Sequence, residues 1–535
     1  MLLGAVVFGL VVLHAEASAP PALNDGGLHL SMTRWAAERI RDGHNPFDGW
    51  YPDLGLGFPQ LHHYQSLPHV LTAVVGLVVG VTTAYHWSLY LLLALWPVAV
   101  YAGVRLLGLG RMAAAAAAVV APLVVSAPGY GYEAGSYTWQ GYGMWPMLWA
   151  AWLLPITLGL AHRALRREVN PAWPALALAA TIACHFITGW LALALVGLMP
   201  LLDPRRLIPR LTRMALVAGE SSSRALWERF DYHDNGRRLI AIQRNADATD
   251  GADLERLLLE VRGSEGRVYA GGNFNWGLEY RVGYRPVFAT LLERDLDAVG
   301  WWLRTFSLGT TAEPRLDEGN PGHYATFGIA WLVLPDDRAP AVPATLVATS
   351  GRHRLYHLDT PGYAEVVDAV GVVHADSDTL ADVVGPMGSA AEDGELRTGR
   401  RSLVRWHGRA GVPTSDGRDG GSPGEVRLGI SRPAEGDFTF DMVARRAAYL
   451  AVATSWHPRL VATVDGVGAA PVMIAPGTVG VHVLEGRHVV RLWYEPFPHT
   501  RVLLALGLLM FMVMAVSPLP IAPGQPRPRR DGKLE

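Results

Sequence analysis

The chain has 535 residues, 50% of them hydrophobic and only 18% charged, where an ordinary soluble protein carries about 25% charged residues, so the deficit points toward a bilayer. Basic residues number 46 and acidic ones 48, a net charge of -2, which excludes a general nucleic-acid binder; an apolar chain with 18 Trp is not disordered either. The single cysteine, Cys184, excludes an internal disulfide and any Cys-based metal cluster.

Apolar runs fill most of 1–202, a water-soluble region follows from about 205 to 498, and a last apolar run precedes the basic tail 521–535. A run of about 17 or more apolar residues can cross a hydrocarbon core. The candidate spans are 1–13, 87–107, 112–127, 144–160, 174–202 and 502–518. No basic residue precedes the first run, which favours an anchor helix with a short start over a signal peptide ending near 15–19. The stretch 67–81 reads as a span or as a helix lying on the bilayer. Arginine clusters mark the cytoplasmic side: Arg105/Arg111, Arg163/Arg166/Arg167 and Arg205/Arg206/Arg210/Arg213. Placed inside, they put 20–85 and 128–143 outside, provided 67–81 does not fully cross, with 18–66 as a long first outer loop. One span does not balance. Either 174–202 is one long tilted helix, or it is two half-length passes around His185 and a span is missing near 214–219.

In the soluble region, 237–263 has helical spacing. Short β-type runs follow at 267–270, 324–334, 344–349 and 355–358, then a Gly/Ser-rich loop over 385–424. From 425 to 497 regular strand spacing with Asp-Gly and Glu-Gly turns predicts a β-sandwich. The expected domains are a transmembrane part over 1–210, an extracytoplasmic α/β region over 211–424, the sandwich, a closing transmembrane helix over 498–520 and a cytoplasmic tail. No P-loop, dinucleotide fingerprint, zinc spacing or nucleophile elbow is present.

Chemistry concentrates in the first outer loop, since long loops between elements tend to be functional. Asp25 and His29 stand four apart, so a helix puts both on one face. A carboxylate just outside a span can deprotonate an acceptor hydroxyl or hold a divalent cation (Mg or Mn) bound to diphosphate. Asp25 also stands where a plain helix cap would, with Gly26 and Gly27 behind it. His62, His63 and Tyr64 form a second polar group, equally readable as an interfacial cluster. Glu133 lies in an aromatic-rich stretch, GYGYEAGSYTWQGYG, whose rings suit sugar stacking or interfacial anchoring. His185 interrupts an apolar run, a functional candidate or a histidine bonded between helices.

These features resemble the bacterial GT-C-type integral membrane glycosyltransferases, and within them the "6-pyruvoyl-tetrahydropterin synthase-related" and YfhO-like membrane proteins. The resemblance rests on Asp25 with His29 after the first helix, on GHNPFDGWYPDLGLGFPQLHHYQSLPH, on Glu133 near an acidic loop position, on ACHFITG around His185, and on the closing β-domain before a final helix. It implies a GT-C-like helical bundle with an extracytoplasmic α/β region, a β-sandwich and a C-terminal transmembrane helix, in the plasma membrane. It implies a polyprenyl-phosphate sugar donor and an envelope glycan or lipid acceptor. Asp25 becomes the base or metal-orienting carboxylate with His29 beside it, and His62, His63, Tyr64, Glu133 and His185 the candidate substrate-binding residues. The chain departs from the family in having fewer spans and in Ser66 where the family's element has a proline. A non-catalytic, membrane-anchored envelope protein whose outer β-domain binds glycan or a partner is the alternative.

Overall fold

The computed structural model describes residues 1–20, 25–123, 144–199, 237–300, 307–376, 379–380, 399–406, 408, 410–414, 421–432 and 436–516. Glu133, the proposed missing span near 214–219 and the basic tail lie outside the described residues.

The first part is helical: α1 Leu2–Val12, α2 Gly26–Arg41, α3 Gln60–His63, α4 Leu67–Val79, α5 Val81–Ala94, α6 Trp96–Leu106, α7 Arg111–Val120, α8 Trp145–Leu165, α9 Ala172–Cys184 and α10 Phe186–Leu198. Among the described residues one helix, α8, is long and apolar enough to cross a membrane, or two if α5 and α6, bent by 51°, act as one span. The six expected spans therefore are not six full-length helices. The 87–107 run breaks because Pro97, lacking an N–H, is suited to a helix start and opens α6. The 174–202 run also breaks, at an extended His185 (φ -157, ψ 116), so the single long helix is excluded. The 67–81 stretch becomes α4, which ends at Gly80 with φ 89.

Glycines let the helices touch. A Cβ on Gly103 of α6 would lie 2.5 Å from Pro155 of α8, and one on Gly159 of α8 would lie 2.4 Å from Leu106 of α6. Thr157 and Thr181 share a hydrogen bond of 3.0 Å that ties α8 to α9. Elsewhere the helices leave large apolar side chains uncovered, among them Val78, Trp173, Phe186 and Trp190. The closing helix Thr500–Val516 is exposed along most of its length and meets α9 through Phe511 on Trp173, ring centroids 5.9 Å apart.

The second part is built on sheets. A mixed sheet takes Ala298–Val299, Arg267–Tyr269, Ile329–Pro335, His353–His357 and Thr345–Ser350 in that spatial order, the first three parallel. The amphipathic helix Asp250–Val261 covers it through Leu254, Leu257, Leu258 and Val261. The helical pattern of 237–263 is divided into Arg237–Ala248 and that helix. Tyr324, expected in a strand, lies in helix Pro321–Phe327, which Asn320 caps.

Beyond it, a closed sheet of Ala448–Ser455, Thr478–Val483, Val472–Ile474, Arg400–Arg405 and Ala364–His374 packs on an outer sheet of Gly424–Arg432, Asp437–Ala444, Gly486–Tyr494, Leu460–Val464 and Val467–Ala469. Their shared core contains Phe438, Phe440, Leu450, Val481 and Leu492. This is the expected sandwich, but it does not begin at 425. Ala364–His374 and Arg400–Arg405, the latter inside the expected loop 385–424, supply the closed sheet with strands that 425–497 lacks.

The stretch between α2 and α4 joins the two parts. Trp50 is fully buried in the sandwich core, and the left-handed glycines Gly57 (φ 89) and Gly436 (φ 63) leave room against its ring, where a Cβ would come within 2.3 and 2.5 Å. Leu56 packs in the core shared by the mixed and closed sheets, and its carbonyl accepts hydrogen bonds from Thr454 Oγ1 (2.9 Å) and the Ser455 amide (3.0 Å). Much of a segment expected to be a functional loop is thus a wedge between domains.

Candidate functional site

Asp25 stands at the N-cap position of α2 but makes no side-chain cap bond. Its Oδ2 lies instead 3.1 Å from His29 Nε2, one helical turn on. The cap expectation is therefore replaced by the same-face pairing. The other His29 nitrogen, Nδ1, lies 3.0 Å from His69 Nε2, and His69 Nδ1 is 3.1 Å from the carbonyl of Gln65. His29 and His69 are 0% exposed and Asp25 7%, so a carboxylate and two imidazoles form one buried chain.

Aromatic rings wall the chain. Tyr64 stacks on His29 at 6.3 Å and 24°, and Trp145, the first residue of α8, lies 5.8 Å from His29 and 5.2 Å from His69. Trp145 is fixed by its indole N–H, which donates to Ser88 Oγ of α5 at 3.1 Å. Burial, then the Asp25 charge, pushes the Tyr64 hydroxyl above the ordinary phenol range, so it stays protonated. At the α9–α10 break His185 Nδ1 accepts the Thr188 amide at 3.3 Å and caps α10. It is thus a helix-capping histidine, and none of its hydrogen bonds reaches Asp25 or His29.

The group His62, His63 and Tyr64 is divided. Tyr64 turns to His29, whereas His62 and His63 face the sandwich. His63 packs on Phe58 (5.1 Å) and His457 (5.8 Å), and His62 on Phe497 (5.6 Å). Beside them the fully buried Asp48 accepts from Tyr494 Oη at 2.8 Å and from the Phe497 amide at 2.6 Å, with His62 Nδ1 at 3.6 Å. These contacts fasten the loop to the sandwich; they do not bring His62 or His63 to Asp25.

Sequence reasoning missed His69 and Trp145. His69 carried a usable signal, an ionisable residue in the apolar run of α4; Trp145 carried none, being one of many. It also missed a 280 Å³ cavity lined by Ser31, Trp35, Glu38, Asp53, Asp295, Asp297 and Tyr363. There burial, then the Asp297 charge, lifts the Asp53 carboxyl to about 8, and Ser31 Oγ donates to it at 2.8 Å. Among the described residues no three His, Cys, Asp or Glu side chains converge as metal ligands. At Asp25 the facing nitrogens of His29 and His69 are spent on each other, so the site does not present a divalent-cation ligand set.

No family model matches the chain, and no curated protein matches it. Among solved structures it is similar to the arabinofuranosyltransferase AftD from Mycobacteria, in one cryo-EM class at 13% identity and a TM-score of 0.34 over 93% of this chain and 59% of that one. A second class gives 12% identity and a TM-score of 0.35 over 92% and 60%. The chain thus spans about three-fifths of the length of the protein it is similar to.

Proposed function

We propose that the chain is an integral membrane glycosyltransferase that moves a sugar from a polyprenyl-phosphate donor to an envelope glycan or lipid acceptor on the outer face. The observation that carries this reading is the buried Asp25–His29 pair, walled by aromatic rings, at the head of α2. The likeness to the arabinofuranosyltransferase is too distant to carry it. Uncovered apolar faces on α4, α9, α10 and the closing helix support a place in the bilayer, with the sheets on the extracytoplasmic side and the sandwich holding the acceptor.

In the proposed step, an acceptor hydroxyl oxygen bonds to the anomeric carbon as the bond from that carbon to the phosphate oxygen breaks. The electron pair leaves on polyprenyl phosphate, and the hydroxyl proton passes to the Asp25 carboxylate. His29 holds that carboxylate in place. Tyr64, partly exposed beside His29, is a ring on which a sugar can stack.

The test is complementation of a deletion strain of the native host, read by envelope glycan composition. Asp25→Asn and His29→Ala, at wild-type protein abundance, should lower product formation by about 10²–10⁴-fold, the usual contribution of a general base. If both restore the glycans as fully as wild type, the catalytic reading fails and the non-catalytic glycan-binding alternative stands.

A further inference from the structure

The hydrogen-bond chain fixes where protons can sit. A carbonyl oxygen only accepts, so His69 Nδ1 must donate to Gln65 across their 3.1 Å contact. In the neutral His69 ring Nε2 is then an acceptor, and His29 Nδ1 must carry the hydrogen between the two rings at 3.0 Å. With Nδ1 of His29 committed, its Nε2 faces Asp25 Oδ2 at 3.1 Å, and that contact needs one further proton shared by the pair.

We propose that His69 is a positioning residue that holds His29 in the Nδ1–H form, so that Asp25 and His29 work as a pair carrying one shared proton. This rests on the glycosyltransferase reading for its consequence in catalysis, but not for its chemistry. With the shared proton on His29, Asp25 is an ionised carboxylate free to take the proton of the acceptor hydroxyl. A second proton on the pair blocks that step. Loss of the shared proton sets the Nε2 lone pair against the carboxylate and breaks their bond. Activity therefore has an acidic and an alkaline limb, and both belong to the pair. Without His69, the His29 ring is free to move its hydrogen to Nε2 and donate to Asp25 while neutral, so the alkaline limb moves up.

The other titratable groups around the chain are Tyr64 of the loop, Tyr85 of α5, His185 at the α9–α10 break, and Glu293 and Glu16, whose charges reach Tyr85. The His29–His69 contact joins Nδ1 of one ring to Nε2 of the other, while Asp25 faces His29 Nε2 and the Gln65 carbonyl faces His69 Nδ1.

The first measurement is ¹⁵N NMR of the full-length chain in lipid nanodiscs with ¹⁵N-labelled histidine, the His29 signals being assigned by their loss in His29→Gln. In the wild type, neutral His29 should carry its hydrogen on Nδ1. In His69→Phe the alkaline form should carry its hydrogen on Nε2. In His69→Gln, whose side-chain oxygen accepts in place of Nε2 and whose amide donates to Gln65, the wild-type pattern should return. A wild-type His29 with bare Nδ1 at alkaline pH overturns the proposal even if no variant folds. The same variants in the complementation strain, assayed as membranes across pH, should show the alkaline limb of His69→Phe raised relative to wild type and that of His69→Gln unmoved. An equal loss at all pH values in His69→Phe assigns a merely structural role and overturns the proposal. If Asp25→Asn is fully active but the NMR pattern holds, only the glycosyltransferase reading falls.

Discussion

At the scale of single residues, Trp50 and Asp25 stand for two kinds of position. Trp50 comes from the stretch between α2 and α4 yet is 1% exposed inside the sandwich core, so its ring fills a hole that the sheets cannot close themselves. Trp50→Ala should cost about 3–5 kcal/mol, the usual range for emptying a large aromatic site. Chemical unfolding followed by circular dichroism checks this, and an unchanged midpoint would mean that the sandwich closes without the loop. Asp25 was legible because the four-residue spacing to His29 already implied contact. His69 was not, because its bond to His29 joins residues 40 apart and depends on how α4 packs on α2.

Among elements, close approach decides more than hydrophobicity does. Helices α6 and α8 touch because residues 103 and 159 have no side chain, and a Cβ at either would overlap backbone or Pro155. Gly159→Ala should push the helices apart at a cost of about 1–3 kcal/mol, seen as a lower thermal midpoint in detergent. A midpoint equal to wild type would show that α6 can slide aside. The sequence pattern found the apolar stretches but not the break at Pro97, and it offered the break at His185 as one of two readings. Apolar composition is blind to a missing N–H or a histidine that caps the next helix. The strands taken from before 425 escaped notice for a related reason: 385–424 looks like loop by composition, and only pairing partners make Arg400–Arg405 a strand.

For the whole molecule, the junction of loop and sandwich carries a pH dependence. Burial, then the charges of His63, His62 and Arg459, lowers His457 to about 3, and burial with the His62 charge lowers His63. Both are depressed below the ordinary 6.5, so they fold neutral and would gain protons on unfolding. The stability they contribute is present above 6.5 and is lost as pH falls toward 3. The protection factors of amides over 44–64 should therefore fall between pH 6.5 and 4. His457→Phe should flatten that change, and equal acid sensitivity in the variant would place the effect elsewhere.

Composition and local spacing by themselves determined that the chain is apolar at its start and end, that its later part is rich in strands, and that Asp25 and His29 share a helix face. All of these are properties of a few consecutive residues or of averages over many. The tertiary structure decided the rest. It made the stretch between α2 and α4 a wedge, sent Tyr64 to His29 and its neighbours His62 and His63 to the sandwich, and set His69 behind His29. Each of those outcomes depends on which distant surfaces meet, and distance along the chain says nothing of distance in space.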